Sequence, residues 1–263
     1  MTKDCTPSLQ LNNSNSVVGQ KDSDLQGYSA RRLNFLANAV NATRYLEIGV
    51  ETGSTFKDVS CSSKTGVDPC FLFDWETCNG TNGVKLLNTT SDLFFHDLDP
   101  GTVFDLIFID GLHTFEQTYR DIIHAVSHSH ARTIFLIDDT VPCDVFSTCR
   151  NQDQCLNLRA SLYGPGDPRW HGDTYKILPL LSVFNPEYEV ATIIDNGNPQ
   201  TLLWRPQVES ASADQQFRAM QAMWAIQNLA AADYLWFLDN LALYNPLSEQ
   251  EALEKVLNTL IQC

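Results

Sequence analysis

Two apolar segments of this chain each end in carboxylates, and an amphipathic stretch joins them. The first reads Phe104-Asp105-Leu106-Ile107-Phe108-Ile109-Asp110, the second Thr133-Ile134-Phe135-Leu136-Ile137-Asp138-Asp139. Both are short and rich in β-branched and aromatic residues, the pattern of strands buried on both faces. Between them Phe115, Tyr119, Ile122, Ile123 and Val126 fall on one helical stripe. A strand, a helix and a second strand make parallel neighbours, which brings Asp110, Asp138 and Asp139 to one edge of a sheet. Carboxylates so placed repel one another unless a cation or a proton sits among them.

The same alternation extends upstream. Leu25, Tyr28, Leu33, Leu36 and Val40 share a helical face, residues 44–48 read as a strand, and residues 49–53 as a turn opening a helix at Ser54. Residues 64–67 form a second strand ending at Asp68. Residues 84–87 are extended or weakly helical, and Leu93-Phe94-Phe95 belongs to a third strand or the helix after it. Thr114 and Gln117 have the spacing of a capping box. Downstream, residues 175–184 read as a helix. Residues 188–194 and 201–204 are strands joined by Asn196-Gly197-Asn198-Pro199, a connection so short that they must be antiparallel. The expected organisation is a polar segment at 1–24, a main domain at 25–207, and helices packed on it at 208–263. Phe217, Met220, Trp224, Leu235 and Leu238 are the expected buried positions of those helices.

The chain has 263 residues and a net charge of −15, from 32 acids and 17 bases with no basic cluster, which argues against nucleic acid or an anionic membrane as partner. No uncharged apolar run reaches the length of a membrane span. Met1-Thr2-Lys3-Asp4-Cys5 contains no apolar leader, so a cytoplasmic setting with reduced cysteines is expected. A homodimer through the region of Trp224 and Trp236 is one expectation, a packed core helix the other.

Between the first strand and the first helix stands Glu47-Ile48-Gly49-Val50-Glu51-Thr52-Gly53-Ser54-Thr55. Its glycines permit close backbone approach, and a helix start offers free N–H groups. Asp68, at the end of the second strand, is placed to accept both hydroxyls of a ribose. A dinucleotide turn would need G-x-G-x-x-G, which fails here at Glu51, and Glu47 and Glu51 would repel a pyrophosphate. A nucleoside without phosphate and with a positive centre suits this acidic turn, and S-adenosylmethionine fits that description.

The segments Tyr45-Leu46-Glu47-Ile48-Gly49-Val50-Glu51-Thr52-Gly53-Ser54-Thr55, Gly66-Val67-Asp68-Pro69 and Phe104-Asp105-Leu106-Ile107-Phe108-Ile109-Asp110-Gly111-Leu112-His113 resemble those of class I S-adenosylmethionine-dependent methyltransferases. The resemblance is closest to a small-molecule and sugar O-methyltransferase-like group with a D-G-x-H segment. It implies an α/β, Rossmann-like, seven-stranded and mostly parallel sheet of order 3-2-1-4-5-7-6. Strand seven would be antiparallel, with helices on both faces and added C-terminal helices. It also implies that Glu47, Gly49 and Gly53 cradle the methionine end of S-adenosylmethionine, with Glu51 and Ser54 in the same turn. Asp68, followed by Pro69, would hold the ribose, Ser91 and Asp92 would approach the adenine, and Asp110 would lie near the cofactor amino group or a metal.

Related O-methyltransferases hold Mg²⁺ on an acid after strand four and a pair after strand five. The resemblance places Asp110, Asp138 and Asp139 in that role, beside capping or cofactor-facing roles for the same acids. His113 and His171 are the candidate proton acceptors, at the mouth of the site and after a flexible loop, whereas His124, His128 and His130 read as surface residues. The leading expectation is methyl transfer to a hydroxyl of a small sugar, polyol or phenol. The alternatives are a catalytically silent nucleoside-binding protein of the same fold, and a non-haem metal oxygenase-like relative using His113, His171 and an Asp.

Overall fold

A computed structural model describes residues 27–206 and 229–261. The polar segment 1–24, Leu25, and the expected core residues Phe217, Met220 and Trp224 lie outside the described residues. The elements run α1 (Tyr28–Val40), β1 (Arg44–Ile48), α2 (Ser54–Asp58), β2 (Ser63–Asp68), β3 (Val84–Asn88), α3 (Ser91–Asp97), β4 (Phe104–Ile109), α4 (Phe115–Ser127) and β5 (Ser129–Ile137). After them come α5 (Gln152–Tyr163), α6 (Ile177–Phe184), β6 (Glu189–Ile193), β7 (Gln200–Trp204), α7 (Tyr234–Asp239), β8 (Pro246–Leu247) and α8 (Glu249–Ile261).

The strands form one sheet of order β3-β2-β1-β4-β5-β7-β6-β8. β7 runs antiparallel to β5 and β6, as the short Asn-Gly-Asn-Pro connection requires, and the first five strands are parallel. β8 adds a short parallel edge beside β6, within a stretch in which only helices are expected from the sequence.

Strand alternation divides the core between the two faces of the sheet. Ile107, Ile109, Phe135 and Ile137 face Phe94 and Phe95 of α3, Ile122 of α4 and Leu178 of α6. Leu106, Phe108, Ile134 and Leu136 face Leu33 and Leu36 of α1, Phe56 of α2 and Val256 of α8. Each fully buried aliphatic or aromatic side chain contributes roughly 1.5–3 kcal/mol, and the central strands carry an unbroken row of them.

Register then sets the site. Ile48 pairs with Val67 and Ile109, and Ile109 with Ile137. The next residues, Gly49, Asp68, Asp110 and Asp138, therefore emerge in one row. The ladder continues through them, with Gly49 N–H donating to the Val67 carbonyl (2.9 Å), Asp110 N–H to Ile48 (2.8 Å) and Asp138 N–H to Ile109 (3.0 Å).

The structure decides between the open local alternatives and corrects several other expectations. Leu93, Phe94 and Phe95 lie in α3, and residues 84–88 are a strand. The Thr114 side chain makes no capping bond. The N–H of Phe115 donates instead to Asp173 Oδ1 (3.0 Å), so α4 is capped from a distant loop. His128 is buried, with Nδ1 2.8 Å from the Thr102 carbonyl, and His130 lies on β5 against Asp105. Tyr28, Leu235 and Leu238 are exposed, and Phe237 is the buried residue of α7. Cys70 is disulfide-bonded, whereas Cys61, Cys78, Cys143, Cys149 and Cys155 are free thiols. No described helix is long and apolar enough to cross a membrane.

Candidate active site

A cavity of about 330 Å³ opens at the row of strand ends. Its β1–α2 side is lined by Glu47, Gly49, Val50, Glu51, Thr52, Ser54 and Thr55, with Asp68 beside them. Gly49 has φ +90°, and a Cβ there would stand 1.9 Å from the Asp110 carbonyl oxygen. No side chain fits between the ends of β1 and β4, so the backbone itself faces the cavity. Glu51 is left-handed (φ +45°), which turns its N–H onto Asp68 Oδ2 at 2.9 Å. Asp68 Oδ1 accepts from Cys70 N–H at 2.7 Å. The buried Asp68 carboxylate is thus fixed by two backbone donors.

Glu47 is also buried, and burial raises its carboxyl pKa well above the usual range. The Tyr45 hydroxyl donates to its Oε2 at 2.5 Å. Gly53, Pro69, Ser91 and Asp92 do not line the cavity. Gly53 (φ +73°) precedes α2. Ser91 and Asp92 begin α3, where Gln117 Nε2 donates to Ser91 Oγ and Asp92 Oδ1, each at 3.2 Å.

Across the cavity stand Asp110, His113, Asp138 and Asp139. His113 Nδ1 lies 2.8 Å from Asp139 Oδ2, and Nε2 lies 3.5 Å from Asp110 Oδ1. Burial opposes a charge on this ring, but the two carboxylates outweigh it and hold its pKa well above the ordinary value. Oxygen and nitrogen donors of Asp110, His113 and Asp139 lie within 4.8 Å of one another.

Asp138 is not part of that cluster. Its Oδ1 accepts from the N–H of Asp139 (2.9 Å) and from the amide of Asn198. Burial, with Asp110 and Asp139 nearby, raises its pKa well above the carboxylate range. Asp139 is left-handed (φ +57°), a conformation that Asp tolerates better than most residues. This twist sends two successive carboxylates in different directions.

His171 does not line the cavity but is buried behind Asp139, with Nε2 3.6 Å from Asp139 Oδ1. Its Nδ1 accepts from Cys143 N–H at 3.4 Å, so in the neutral ring the proton sits on Nε2, facing Asp139. Burial lowers its pKa.

The far wall comes from residues 143–173, which sequence patterning left irregular. Trp170 stacks on His113 with ring centres 4.7 Å apart, and its carbonyl lies 3.3 Å from His113 Nδ1. Gly172 packs so close that a Cβ would stand 1.8 Å from the His113 carbonyl. Arg159 ties this wall together. It makes a two-pronged pair with Asp144 (2.9 and 3.0 Å) and donates to the carbonyls of Asp167 and Arg169. Gly111 and Leu112 line the cavity beside Asp110, and Gln152, Pro168, Trp170 and Asn198 complete the lining, these four not anticipated as site residues. Asn198 stood in a segment read only as a hairpin turn, and Trp170 showed as the neighbour of His171.

Residues 26–140 match a family model described as a methyltransferase domain. Over that stretch the chain is similar to a methyltransferase domain, and the strand order with antiparallel β7 is the Rossmann-like arrangement that the resemblance implies. No curated protein sequence matches the chain. Among solved structures, it is similar to the Bacillus cereus O-methyltransferase in complex with SAH, at 15% identity over 70% of this chain and 84% of that one, TM-score 0.47. It is similar also to the SAH-bound Podospora anserina methyltransferase PaMTH1, at 17% identity over 67% and 77%, TM-score 0.49. A third is the O-methyltransferase TomG from Streptomyces achromogenes in complex with SAM, at 15% identity over 70% and 82%, TM-score 0.44.

Proposed function

We propose that the protein transfers the sulfonium methyl of S-adenosylmethionine to a hydroxyl of a small sugar, polyol or phenol. The observation that carries this reading is His113, held between Asp110 and Asp139 in the same cavity as the buried, doubly bonded Asp68. Asp68 accepts the ribose hydroxyls, while Gly49 and the acidic turn receive the methionine end and its positive sulfur. Asp139 accepts the Nδ1–H of His113, and once the ring has given up its second proton, at a pH raised by the two carboxylates, its Nε2 lone pair serves as general base. Nε2 takes the acceptor's proton, the oxygen attacks the methyl carbon, and the C–S bonding pair stays on sulfur, leaving S-adenosylhomocysteine.

The same side chains fit a divalent cation by chemistry. They are two carboxylates and an imidazole with donors within 4.8 Å, in a cavity lined by six acids and one histidine. Asp110, Asp139 and His113 would hold it, in place of the set Asp110, Asp138 and Asp139 expected from sequence. Such a cation would supply the deprotonation by lowering the pKa of the acceptor hydroxyl. The oxygenase-like alternative is disfavoured, because the ring nitrogen that His171 turns to Asp139 carries a proton in the neutral form.

Calorimetry with S-adenosylhomocysteine and with NAD, followed by methyl transfer to a panel of sugars, polyols and phenols, tests the proposal. Binding of the former alone and methylation of a hydroxyl are expected. No binding overturns the cofactor assignment. Binding without transfer to any hydroxyl favours a silent nucleoside-binding protein. Loss of transfer in EDTA, restored by Mg²⁺ or Mn²⁺, assigns the deprotonation to the cation, and transfer indifferent to EDTA assigns it to His113.

A further inference from the structure

Among the described residues, a chain of polar contacts reaches the cavity along the same sheet edge, from the β6, β7 and β8 side. Arg32 of α1 is fully buried, and all three guanidinium nitrogens are engaged. Nε donates to Glu249 Oε2 (2.8 Å) at the start of α8. Nη1 donates to the Asn198 carbonyl (2.6 Å) and Gln200 Oε1 (2.7 Å), and Nη2 to the carbonyls of Asp195 and Asn196, both at 3.1 Å. Glu249 N–H in turn donates to Asp195 Oδ1 (2.6 Å). The β6–β7 turn is therefore held by one arginine from three carbonyls, which is far more than a hairpin turn requires.

What the turn carries explains the investment. Asn198 lines the cavity and gives its amide to Asp138 Oδ1. That same oxygen accepts the N–H of Asp139. The second bond supports the left-handed backbone of Asp139. In that conformation Asp139 reaches His113 Nδ1 at 2.8 Å.

We propose that Asn198 is a positioning residue for the His113–Asp139 pair, acting through Asp138 and itself set by the Arg32–Glu249 hub. The amide holds the Asp138 carboxylate in the one rotamer that bonds the Asp139 N–H. Without it, Asp138 turns toward the cavity, Asp139 loses its backbone support, and the carboxylate partner of His113 is no longer fixed. The inference rests on the preceding reading only for its consequence, because the relay exists whether His113 serves as base or as cation ligand.

The test uses the full-length protein labelled with ¹⁵N in its histidine rings, at one fixed neutral pH. His113 resonances are assigned by their absence in His113→Asn. Asn198→Ala, and the isosteric Asn198→Asp that lacks the donor, are expected to shift the His113 Nδ1 signal or broaden its attached proton. A cooperative thermal unfolding transition reports that the variants fold. Arg32→Lys, which loses the fork, should move the same signal in the same direction. An unchanged His113 Nδ1 environment in folded Asn198→Ala and Asn198→Asp overturns the relay. Undiminished methyl transfer by His113→Asn, by contrast, removes the base reading and leaves the relay standing.

Discussion

His113 Nδ1 is flanked by two acceptors, Asp139 Oδ2 at 2.8 Å and the Trp170 carbonyl at 3.3 Å. A nitrogen between two acceptors carries a proton, so the lone pair of the neutral ring belongs to Nε2, on the Asp110 side. Replacing His113 by Asn keeps polarity and removes that base. Release of S-adenosylhomocysteine with an active acceptor is expected to fall about a hundred- to ten-thousandfold. Affinity for S-adenosylhomocysteine, measured by calorimetry, should hardly move. A variant that keeps its rate excludes His113 from the chemistry.

Asp68 uses both oxygens, one on Glu51 N–H and one on Cys70 N–H. In Asp68→Asn one of these donors must face an NH₂ group instead of an acceptor. The turn and the ribose contact are lost together, and affinity for S-adenosylhomocysteine should drop about ten- to a hundredfold. Equal affinity in titrations of the two proteins contradicts the ribose assignment.

Gly49→Ala would force a methyl group into the Asp110 carbonyl, at a position already left-handed. The ends of β1 and β4 would have to part, at a cost of about 3–5 kcal/mol. Denaturant titration should show a midpoint shift of that size, together with lost cofactor binding.

Asp121 of α4, packed against Gly111, supplies a pH signature of its own. Burial raises its pKa to about 6, although Ser91 and Gln117 hydrogen-bond it. The folded state therefore holds a proton that the unfolded chain releases near the ordinary carboxylate pKa. Stability attributable to this group is present at low pH and is lost as pH rises toward about 6. Asp121→Asn should flatten the pH dependence over that window, and relative to wild type it should gain stability on going from acid to neutral pH. Thermal unfolding at a series of pH values checks the sign, and a variant that loses ground toward neutrality refutes it.

Strand ends were legible in the sequence because apolar runs stop at charged residues, which is how Asp68, Asp110 and Asp138 were found before any geometry. The antiparallel β7 followed from the four residues of its turn. Partners were not legible. His113 and Asp139 are on different strand ends and meet only because Asp139 turns left-handed, a twist with no signature beyond the residue type. The expected capping box at Thr114 failed because Asp173, far along the chain, took the helix start. Leu235 and Leu238 were assigned to the interior from hydropathy, yet α7 buries Phe237 and leaves them in solvent. Asn198 and Trp170 serve the cavity from segments whose local patterns speak only of turns and loops.

The wall knotted by Arg159 has a consequence for how such a protein can change. The residues on the β1–α2 side of the cavity lie before β3, and the family match ends at residue 140. Gln152, Pro168 and Trp170 all follow, in a segment whose internal bonds run largely to itself through Asp144, Asp167 and Arg169. Its anchors to the scaffold include the stacked Trp170, the Gly172 contact, the Asp173 cap on α4 and the two-pronged Arg150–Glu116 pair. A segment braced in this way behaves as a cassette. The side chains that Gln152, Pro168 and Trp170 present to the cavity can change within it, while the β1–α2 side of the cavity stays as it is.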